Sequence, residues 1–372
     1  MKIVHTYINN MYIDPNDESK MCFADKWGLV SLAKLGHDVT LICGGESKER
    51  NQYIWKGITV IELPKLWGIN NTSRILKGFI RELKKIQADV FHSHHYSSLI
   101  PELTLIVGKK RKIPTFVTFH NTLVEGNFFA KTLGTLYLIG MQPFLPFYHK
   151  VLFISDYIKN KLPFKLLSKK KKQTIYNYIY VPKLKEISKK KNMILYVGRL
   201  THQKGIDILF KSLSQIKKNN KNVKLFLMGT GTKKYVQHLQ KLVESFNLKN
   251  HVIFLGKKSG DEKWHYYQQS TILIVPSRDE GFGNVVIEGM LAETPVIVSN
   301  KGSLPEASGG KGIVFNIHKP EDLAKKIMVL LNDQHLQGIF SENAKHYAEK
   351  FTKDTIGKEL LQEYKHSLST RN

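Results

Sequence analysis

The sequence is poor in cysteine and in acidic residues, and each shortage excludes a class of protein. Its two cysteines, Cys22 and Cys43, are too few for a disulfide scaffold and lack the closely spaced companions that a structural zinc site needs. Acidic residues number 31 against 57 lysines and arginines, so the formal net charge is +26. The two halves of the chain share this excess evenly, which predicts a generally cationic surface rather than one nucleic-acid groove. Such a surface suits phosphorylated ligands or anionic lipid.

Long uncharged stretches are also scarce. One of them, residues 132–148, approaches the length of a membrane span, but Gln142, Pro143 and Pro146 interrupt it. The prolines favour a buried helix followed by a kinked connection over an element that dips into the membrane. Residues 159–172 then combine lysines with apolar side chains, and this pattern fits a solvated face and a membrane-surface patch equally well. Because the first residues are typical of a strand and not of a secretory leader, we expect a cytoplasmic protein, peripheral on the inner membrane face if the patch binds lipid.

The patterning predicts two α/β domains. With 372 residues and 42% hydrophobic content, the chain can bury two separate cores. In the first half, short apolar runs alternate with helical stretches such as residues 73–86, which is typical of a doubly wound sheet. The predicted strands there cover residues 2–8, 38–43, 58–63, 89–94, 115–120 and 151–154. A lysine-rich linker, residues 183–191, follows, so we expect one domain over residues 1–182, a second over 192–350 and a C-terminal helix over 351–372.

The stretch from residue 271 to residue 299 carries the most chemistry. It has the pattern of strand, glycine turn, helix and strand, and the positive end of the helix dipole would attract an anion to the turn. The turn residues are Gly281, Phe282, Gly283 and Asn284. Glu280 precedes the helix and Glu288 lies two turns into it, roughly 11 Å further along at about 1.5 Å per residue. This separation suits a nucleotide sugar, which has hydroxyls at both ends and a diphosphate between them. A βαβ unit that only forms part of the core, without binding a ligand, would show the same strand and helix pattern.

A second strand-to-helix passage starts at residue 193 and contains two basic residues. Arg199 offers a planar fork and Lys204 a mobile point charge, so the pair can neutralise a diphosphate leaving group. Basic loop residues are common in so cationic a chain, but the spacing Gly-Arg-x4-Lys-Gly at a strand end is not. Gly229 follows the next predicted strand, in a short Gly-Thr-Gly run that is typical of a tight turn near the ligand.

Together these motifs resemble those of the family 4 retaining glycosyltransferases, which have the GT-B fold. The similar features are Glu280-x7-Glu288 within Pro-Ser-x-x-Glu-Gly-Phe-Gly, the Pro-Val pair after it, and Gly-Arg-x4-Lys-Gly. The resemblance implies two Rossmann-like doubly wound domains that face a central cleft, with the C-terminal helix packing back on the first. It also implies transfer of a hexose-type sugar from a UDP- or GDP-sugar to a hydroxyl of a glycan or lipid-linked acceptor. Cell-surface polysaccharide or glycolipid synthesis would be the setting.

The resemblance also implies roles for individual residues. Glu280 would bind the transferred sugar and Glu288 the ribose hydroxyls. His120 ends a Thr-x-His motif at the carboxyl end of a predicted strand and would lie beside the donor sugar. Lys257, in the loop after another predicted strand, would lie beside the nucleobase. The sequence departs from many relatives at residues 9–20, which contain no glycine, so we expect the acceptor side to be built differently.

No metal or other cofactor is expected, because Arg199 and Lys204 would carry out the charge neutralisation that a divalent ion otherwise provides. His92, His94 and His95 suggest a metal site. However, strand alternation directs His95 to the opposite face from the other two, and no acidic residue is spaced to complete the site.

Three other functions compete with glycosyl transfer. A sugar phosphorylase shares the architecture but needs a lysine-bound pyridoxal cofactor, for which the sequence has no distinctive signature. A nucleic-acid-binding protein would explain the charge, yet no aromatic residues interleave a basic strand, so nucleic acid is not an expected partner. An adaptor without catalysis at a lipid surface would also explain the charge, but it leaves the two glutamates and the two basic motif residues without a role.

Overall fold

The structure is a computed structural model that describes residues 1–10, 26–45, 47–67, 75–95, 98–121, 128–185 and 187–369. Cys22 and most of the glycine-poor stretch after the first strand lie outside these residues. The chain divides into two compact units, Met1–Tyr178 with Lys353–Asn372, and Ile179–Thr352. The last helix of the chain therefore belongs to the first unit.

The first unit is built on a sheet of eight strands among its described residues. They are β1 (Lys2–Asn10), β2 (Asp38–Gly44), β3 (Asn51–Trp55), β4 (Ile58–Leu63), β7 (Val90–His95), β8 (Thr115–Phe119), β9 (Lys150–Phe153) and β10 (Lys172–Thr174). Their order is β10-β9-β8-β7-β1-β2-β4-β3, and all neighbours are parallel except β3 and β4. Two short strands, β5 (Lys65–Trp67) and β6 (Ile75–Leu76), pair separately. The order reverses direction at β1, whose neighbours are β2 and β7.

Six helices accompany this sheet in the described part of the first unit. They are α1 (Lys26–Lys34), α2 (Phe79–Lys85), α3 (Ile100–Lys110), α4 (Phe128–Met141), α5 (Asp156–Lys161) and α13 (Lys353–Ser369). The terminal helix α13 packs on α1 and buries Ile356, Leu360, Leu361 and Tyr364 in the same core as β1 and β2. Its apolar residues recur at helical spacing, which is why one face of α13 is covered.

The six strands predicted for the first half are all present. The predicted helix over residues 73–86 is shorter than expected and begins at Phe79, because Ile75 and Leu76 form β6 and Gly78 adopts a left-handed conformation before the helix. The edge strands β3 and β10 were not predicted. Lys172, Gln173 and Thr174 of β10 have no apolar pattern and join the sheet through backbone pairing with β9.

The prediction of a buried helix over residues 132–148 is wrong in part. The kinked connection is present as a 3-10 helix over Gln142–Phe147, but most of the described side chains of α4 are exposed or half-buried. Leu136 is 59% exposed and Ile139 is 63% exposed, while Leu138 and Met141 are buried. An uncharged helix need not be buried on all sides. Here the helix packs on the unit through the side of α4 that carries Leu138 and Met141. Within the described residues, no helix is long and apolar enough to cross a membrane.

The second unit contains one parallel sheet and helices on its faces. The strands are β11 (Met193–Val197), β12 (Lys224–Met228), β13 (Val252–Gly256), β14 (Ile272–Val275), β15 (Val296–Ser299) and β16 (Ile313–Phe315). The helices are α6 (Ile206–Asn219), α7 (Lys233–Ser245), α8 (Gly260–Gln269), α9 (Asn284–Leu291), α10 (Leu304–Ser308), α11 (Pro320–Asn332) and α12 (Gln334–Ala348). The strand order is β13-β12-β11-β14-β15-β16, so the winding direction reverses between β11 and β14. Ligands of open α/β sheets bind beside the carboxyl ends of the strands at such a reversal.

Candidate active site

Both motif loops of the second unit leave the sheet at this reversal. The strands β11 and β14 pair directly, with Leu195 opposite Leu273. The loop after β11 carries Arg199 and Lys204, and the loop after β14 carries Glu280. Motifs that lie about 80 residues apart in sequence are thus neighbours at the edge of the sheet where a ligand is expected.

Lys204 and Glu280 form an ion pair at this edge. The Nζ of Lys204 lies 2.5 Å from Oε2 of Glu280, and the side chains are 14% and 19% exposed. The hydroxyl of Ser277 donates to the same carboxylate oxygen at 3.3 Å. The backbone N–H and the hydroxyl of Ser303 both donate to the carbonyl of Glu280, each at 3.0 Å. The carboxylate is thereby fixed through its backbone and its side chain, and the ammonium keeps further donors for a second anion.

Two glycines allow the loops to approach so closely. Gly205 has φ +67, and a Cβ there would lie 1.9 Å from the carbonyl oxygen of Pro276. Gly302 has φ +62, and a Cβ there would lie 2.5 Å from the backbone nitrogen of Glu280 and 2.6 Å from its carbonyl oxygen. A side chain at either position would displace backbone next to the ion pair.

The substitution Gly302→Ala should therefore lower the free energy of unfolding by more than the left-handed conformation alone costs. Gly310→Ala is the matched control, since Gly310 has φ +69 but a Cβ there meets nothing within 4 Å. The left-handed conformation alone should lower the free energy of unfolding by about 1–2 kcal/mol in either variant. Denaturant unfolding of both proteins measures the difference. Equal losses in the two variants would contradict the close approach described for Gly302.

A second ion pair joins the loop after β14 to the first turn of α6, which follows the loop after β11. Arg278, after β14, forms a bidentate pair with Asp207 of α6, with nitrogen to oxygen distances of 2.9 and 2.7 Å. Arg278 also donates to the carbonyl of His202 at 2.5 Å, and its backbone N–H donates to Gln203 at 2.7 Å. Burial alone would raise the pKa of Asp207, but the hydrogen bonds and charge of Arg278 lower it. Sequence reasoning missed this pair, because nothing in the pattern says which acid Arg278 faces.

Glu288 of α9 is held by two residues of the neighbouring helix α8. Lys263 Nζ lies 2.6 Å from one carboxylate oxygen, and the hydroxyl of Tyr267 donates to the other at 2.7 Å. Lys263 and Tyr267 are four residues apart and so lie on one helix face. Burial, followed by the charge of Glu288, raises the pKa of Tyr267 well above its ordinary value. Glu288 is thus oriented at both oxygens, and each oxygen keeps a lone pair for a hydroxyl of a ligand. Neither partner was predicted.

The remaining predicted residues of this unit take different positions. Gly283 has φ +93 and precedes α9, as a strand-to-helix turn requires. Phe282 is buried and its ring lies 5.6 Å from that of Phe351, so its side chain is part of the core and only its backbone can contact a ligand. Gly229 has φ +146, and a Cβ there would lie 1.8 Å from the carbonyl oxygen of Gly198, so it brings the loops after β11 and β12 together.

Two predicted basic residues of this unit are exposed, and so are accessible to a ligand. Arg199 is exposed just after β11. Lys257 is exposed after β13, which is separated from β11 by one strand, and it is the predicted site residue furthest along the sheet from Glu280.

In the first unit, His120 lies at the end of β8 within a group of buried histidines. His92 and His94 lie on the same face of β7 as predicted, with ring centroids 4.6 Å apart. His95 lies on the other face and stacks on the ring of Phe119 at 4.6 Å. Sequence reasoning missed His5 of β1, whose ring lies 5.2 Å from His94. Nitrogen atoms of His5, His92 and His94 all lie within 4.8 Å of one another, so three imidazoles, not an acidic residue, form the possible metal ligands here.

Comparison with known proteins identifies the family. Residues 30–181 match the family described as Glycosyltransferase Family 4, and residues 182–347 match Glycosyl transferases group 1. An uncharacterised glycosyltransferase of Methanocaldococcus jannaschii is 31% identical over 327 residues, which cover 82% of this chain and 84% of that protein. Alpha-monoglucosyldiacylglycerol synthase of Acholeplasma laidlawii is 26% identical, and the match covers 88% of each chain.

A solved structure shares the fold. The Anabaena protein HepE, in complex with UDP and glucose, superposes with a TM-score of 0.72 at 16% identity and covers 97% of this chain and 98% of that chain. The motif loops, the two doubly wound units and these similarities agree on one family. The chain is a glycosyltransferase of family 4 with the GT-B fold, built from two Rossmann-like units.

Proposed function

We propose that the protein is a retaining glycosyltransferase that moves a hexose-type sugar from a UDP- or GDP-sugar to a hydroxyl of a lipid-linked or glycan acceptor. The observation that carries the proposal is the pair of oriented glutamates beside the reversal of strand order. Lys204 holds Glu280, and Lys263 with Tyr267 holds Glu288. The two acids suit the hydroxyls at the two ends of a nucleotide sugar, and the basic residues suit its diphosphate. HepE was solved with UDP and glucose, so UDP-hexoses are the first donors to test.

The donor would lie along the start of α9. The diphosphate would contact Lys204 and Arg199 and the turn Gly281–Asn284, where the helix dipole favours negative charge. Glu288 would accept hydrogen bonds from the ribose hydroxyls, and Glu280 from a hydroxyl of the transferred sugar. The family resemblance adds His120 beside that sugar and Lys257 beside the base.

The reaction would proceed as a transfer at the anomeric carbon with retention of configuration. The bond from that carbon to the β-phosphate oxygen breaks, and the electron pair leaves with the diphosphate, where Lys204 and Arg199 stabilise the developing charge. The acceptor hydroxyl attacks from the face that the leaving group vacates, and its proton passes to a phosphate oxygen. Because the basic pair supplies positive charge at the leaving group, the step as proposed needs no metal ion and no protein nucleophile.

A panel of UDP- and GDP-sugars tests the donor half of the proposal. One nucleotide class should raise the melting temperature of the wild-type protein. Glu288→Gln should weaken the binding of that nucleotide about 10–100-fold, since hydrogen bonds to a charged group contribute about 1.5–3 kcal/mol. Glu244→Gln, on the exposed face of α7, is the matched control. A folded protein that no nucleotide stabilises, or a Glu288→Gln protein that binds like Glu244→Gln, would contradict the assignment.

The acceptor half rests on one surface of the first unit, which we call the basic apolar surface. It consists of α4, the 3-10 helix after it and residues 163–171. Leu136, Ile139, Phe147 and Leu166 are 59%, 63%, 54% and 57% exposed there. Two lysines lie beside the 3-10 helix: Nζ of Lys109, from α3, lies 3.5 Å above the Phe147 ring, and Lys171 donates to the carbonyl of Pro146 at 2.6 Å. Exposed apolar side chains with lysines beside them suit an anionic lipid surface.

We expect the protein to bind the cytoplasmic membrane face through this surface and to act on a lipid-linked acceptor there. The relative from Acholeplasma laidlawii is named for a glucosylated diacylglycerol product. In sedimentation with anionic vesicles, the double variant Leu136→Ser, Ile139→Ser should bind at least about 10-fold more weakly, because two exposed apolar side chains that would enter the lipid are lost. Ile54→Ser is the control, since Ile54 is 76% exposed on the edge strand β3. Vesicle binding that is unchanged in the double variant, or that is equally strong on zwitterionic vesicles, would contradict this site.

A further inference from the structure

The backbone of Glu288 has a closely fixed place on the second unit. At the next residue, Gly289, a Cβ would lie 2.4 Å from the side chain of Leu273 and 3.2 Å from that of Val296, so α9 lies close to both β14 and β15. In the loop after α9, the backbone N–H of Thr294 donates to the carbonyl of Gly289 at 2.9 Å. The helix therefore holds the stem of Glu288 in one position beside the reversal of strand order.

The carboxylate at the end of this stem is not fixed by the helix alone. The last torsion angle of a glutamate is broad, so the plane of the carboxylate depends on what its two oxygens contact. One oxygen lies 2.6 Å from Nζ of Lys263, and the other accepts from the hydroxyl of Tyr267 at 2.7 Å. An ammonium is a point charge on a flexible stem and does not define a plane. The orientation of the Glu288 carboxylate thus depends mainly on Tyr267.

Tyr267 is itself held rigidly and is always a donor. Its side chain is 0% exposed, and its ring lies 5.7 Å from that of Trp264. Its backbone carbonyl accepts from the hydroxyl of Thr294 at 2.6 Å, so the same residue contacts both α9 and the loop after it. Because burial raises the pKa of Tyr267 well above its ordinary value, the phenol keeps its proton and donates it to Glu288.

This arrangement defines what a ligand of Glu288 must supply. A carboxylate only accepts hydrogen bonds, and with one donor already at each oxygen, each oxygen has a lone pair left. A ligand therefore uses both oxygens when it carries two hydroxyl donors on neighbouring atoms. A ribose offers such a pair in its 2′ and 3′ hydroxyls, whereas a 2′-deoxyribose offers only one of them.

We propose that Tyr267 is a positioning residue that makes the donor site select ribonucleotides over 2′-deoxyribonucleotides. It holds the plane of the Glu288 carboxylate so that both oxygens accept from the ribose at the same time. A 2′-deoxynucleotide displaces water from this carboxylate but leaves one of its oxygens without a new donor, and an unpaired charged acceptor is costly. The proposal rests on the proposed function, which places the ribose at Glu288.

Calorimetric titration with UDP, GDP and their 2′-deoxy forms tests this selectivity without any turnover assay. For the base that binds, the wild-type protein should bind the 2′-deoxy form about 10–100-fold more weakly, which is the effect of losing one hydrogen bond to a charged group. Tyr267→Phe should weaken the ribonucleotide about 10-fold but the 2′-deoxynucleotide by less than about twofold, because only the ribose contact loses its oriented acceptor. Retained binding of the 2′-deoxy form also shows that the variant is folded.

Tyr266→Phe is the matched control, since adjacent residues of a helix point in different directions. The Tyr266 ring lies 6.3 Å from that of Phe226 on β12, and its variant should bind both forms like the wild type. If Tyr267→Phe weakens both forms equally, its role is structural and the proposal is wrong. Nucleotide binding by the wild type without preference for the ribose form would overturn this proposal alone. Binding of no diphosphate by the folded protein would contradict the proposed function and, with it, the selectivity assigned to Tyr267.

Discussion

Replacing Lys204 with methionine should lower kcat/KM for the donor by about 100–1000-fold, which is the range for losing one group that stabilises developing charge. Two effects act in the same direction. The leaving diphosphate loses a cation, and the carboxylate of Glu280, 19% exposed, loses the partner 2.5 Å away that neutralises it. An unpaired carboxylate would then repel the phosphates. Initial rates of donor consumption measure the loss.

The pairing also predicts how a second substitution behaves. Adding Glu280→Gln to Lys204→Met removes the unpaired charge. The fold loss of kcat/KM in the double variant should therefore be smaller than the product of the fold losses in the two single variants. Lys234→Met, at an exposed position in α7, controls for the loss of one surface charge and should act like the wild type. A folded Lys204→Met protein within about threefold of the wild-type rate would contradict the role assigned to this ion pair in leaving-group stabilisation.

The free energy of unfolding of the first unit should fall as the pH is lowered below about 6.5, because several of its histidines are buried in the neutral form. Burial lowers the pKa of His5, His92 and His95, in the case of His95 to about 3. In the unfolded chain these groups take up protons near pH 6.5, whereas in the folded chain they stay neutral. These groups therefore do not reduce the free energy of unfolding above about pH 6.5, and they reduce it as the pH falls below that value. For His95 the loss should reach about 2 kcal/mol by pH 5.

Other groups act elsewhere or partly offset this loss. The carboxyl of Glu102, whose pKa burial raises, works in the opposite direction as the pH falls toward the ordinary carboxyl range. Asp156, Asp207 and Asp322 have lowered pKa values, so their contribution is lost only below about pH 4. Denaturant unfolding at pH 7.5, 6.5, 5.5 and 5.0 measures the slope. This slope gives the number of protons taken up on unfolding, and His95→Gln should reduce that number by nearly one. His346→Gln, at a side chain that is 92% exposed, should leave it unchanged. A flat profile between pH 7.5 and 5 would contradict neutral burial of these histidines.

The motif loops could be predicted from the sequence because their signals are local. Apolar strands, the turn glycines and the spacing of Glu280 and Glu288 all lie within about thirty residues. The partners of these acids could not be predicted in the same way. Lys263 and Tyr267 meet Glu288 only because α8 and α9 are brought together by the winding of the sheet.

The buried histidines of the first unit show the same limit over a longer separation. His5 and Tyr364 are 359 residues apart, and their contact depends on α13 packing in the first unit. Strand alternation was enough to place His92 and His94 on one face of β7. It says nothing about which residue of a neighbouring strand or helix covers that face. The exposed face of α4 escaped prediction for a related reason, since an uncharged sequence does not reveal how many of its sides have neighbours.

The central claim is tested most directly by proton NMR of α-linked UDP- and GDP-hexoses incubated with the protein and anionic vesicles that contain diacylglycerol. We predict that one donor is consumed, that the sugar in the first-formed product has the α configuration, and that Lys204→Met consumes the same donor far more slowly. A product that appears first in the β configuration would contradict retention. Consumption of no donor by the folded protein would contradict the proposed donor chemistry itself.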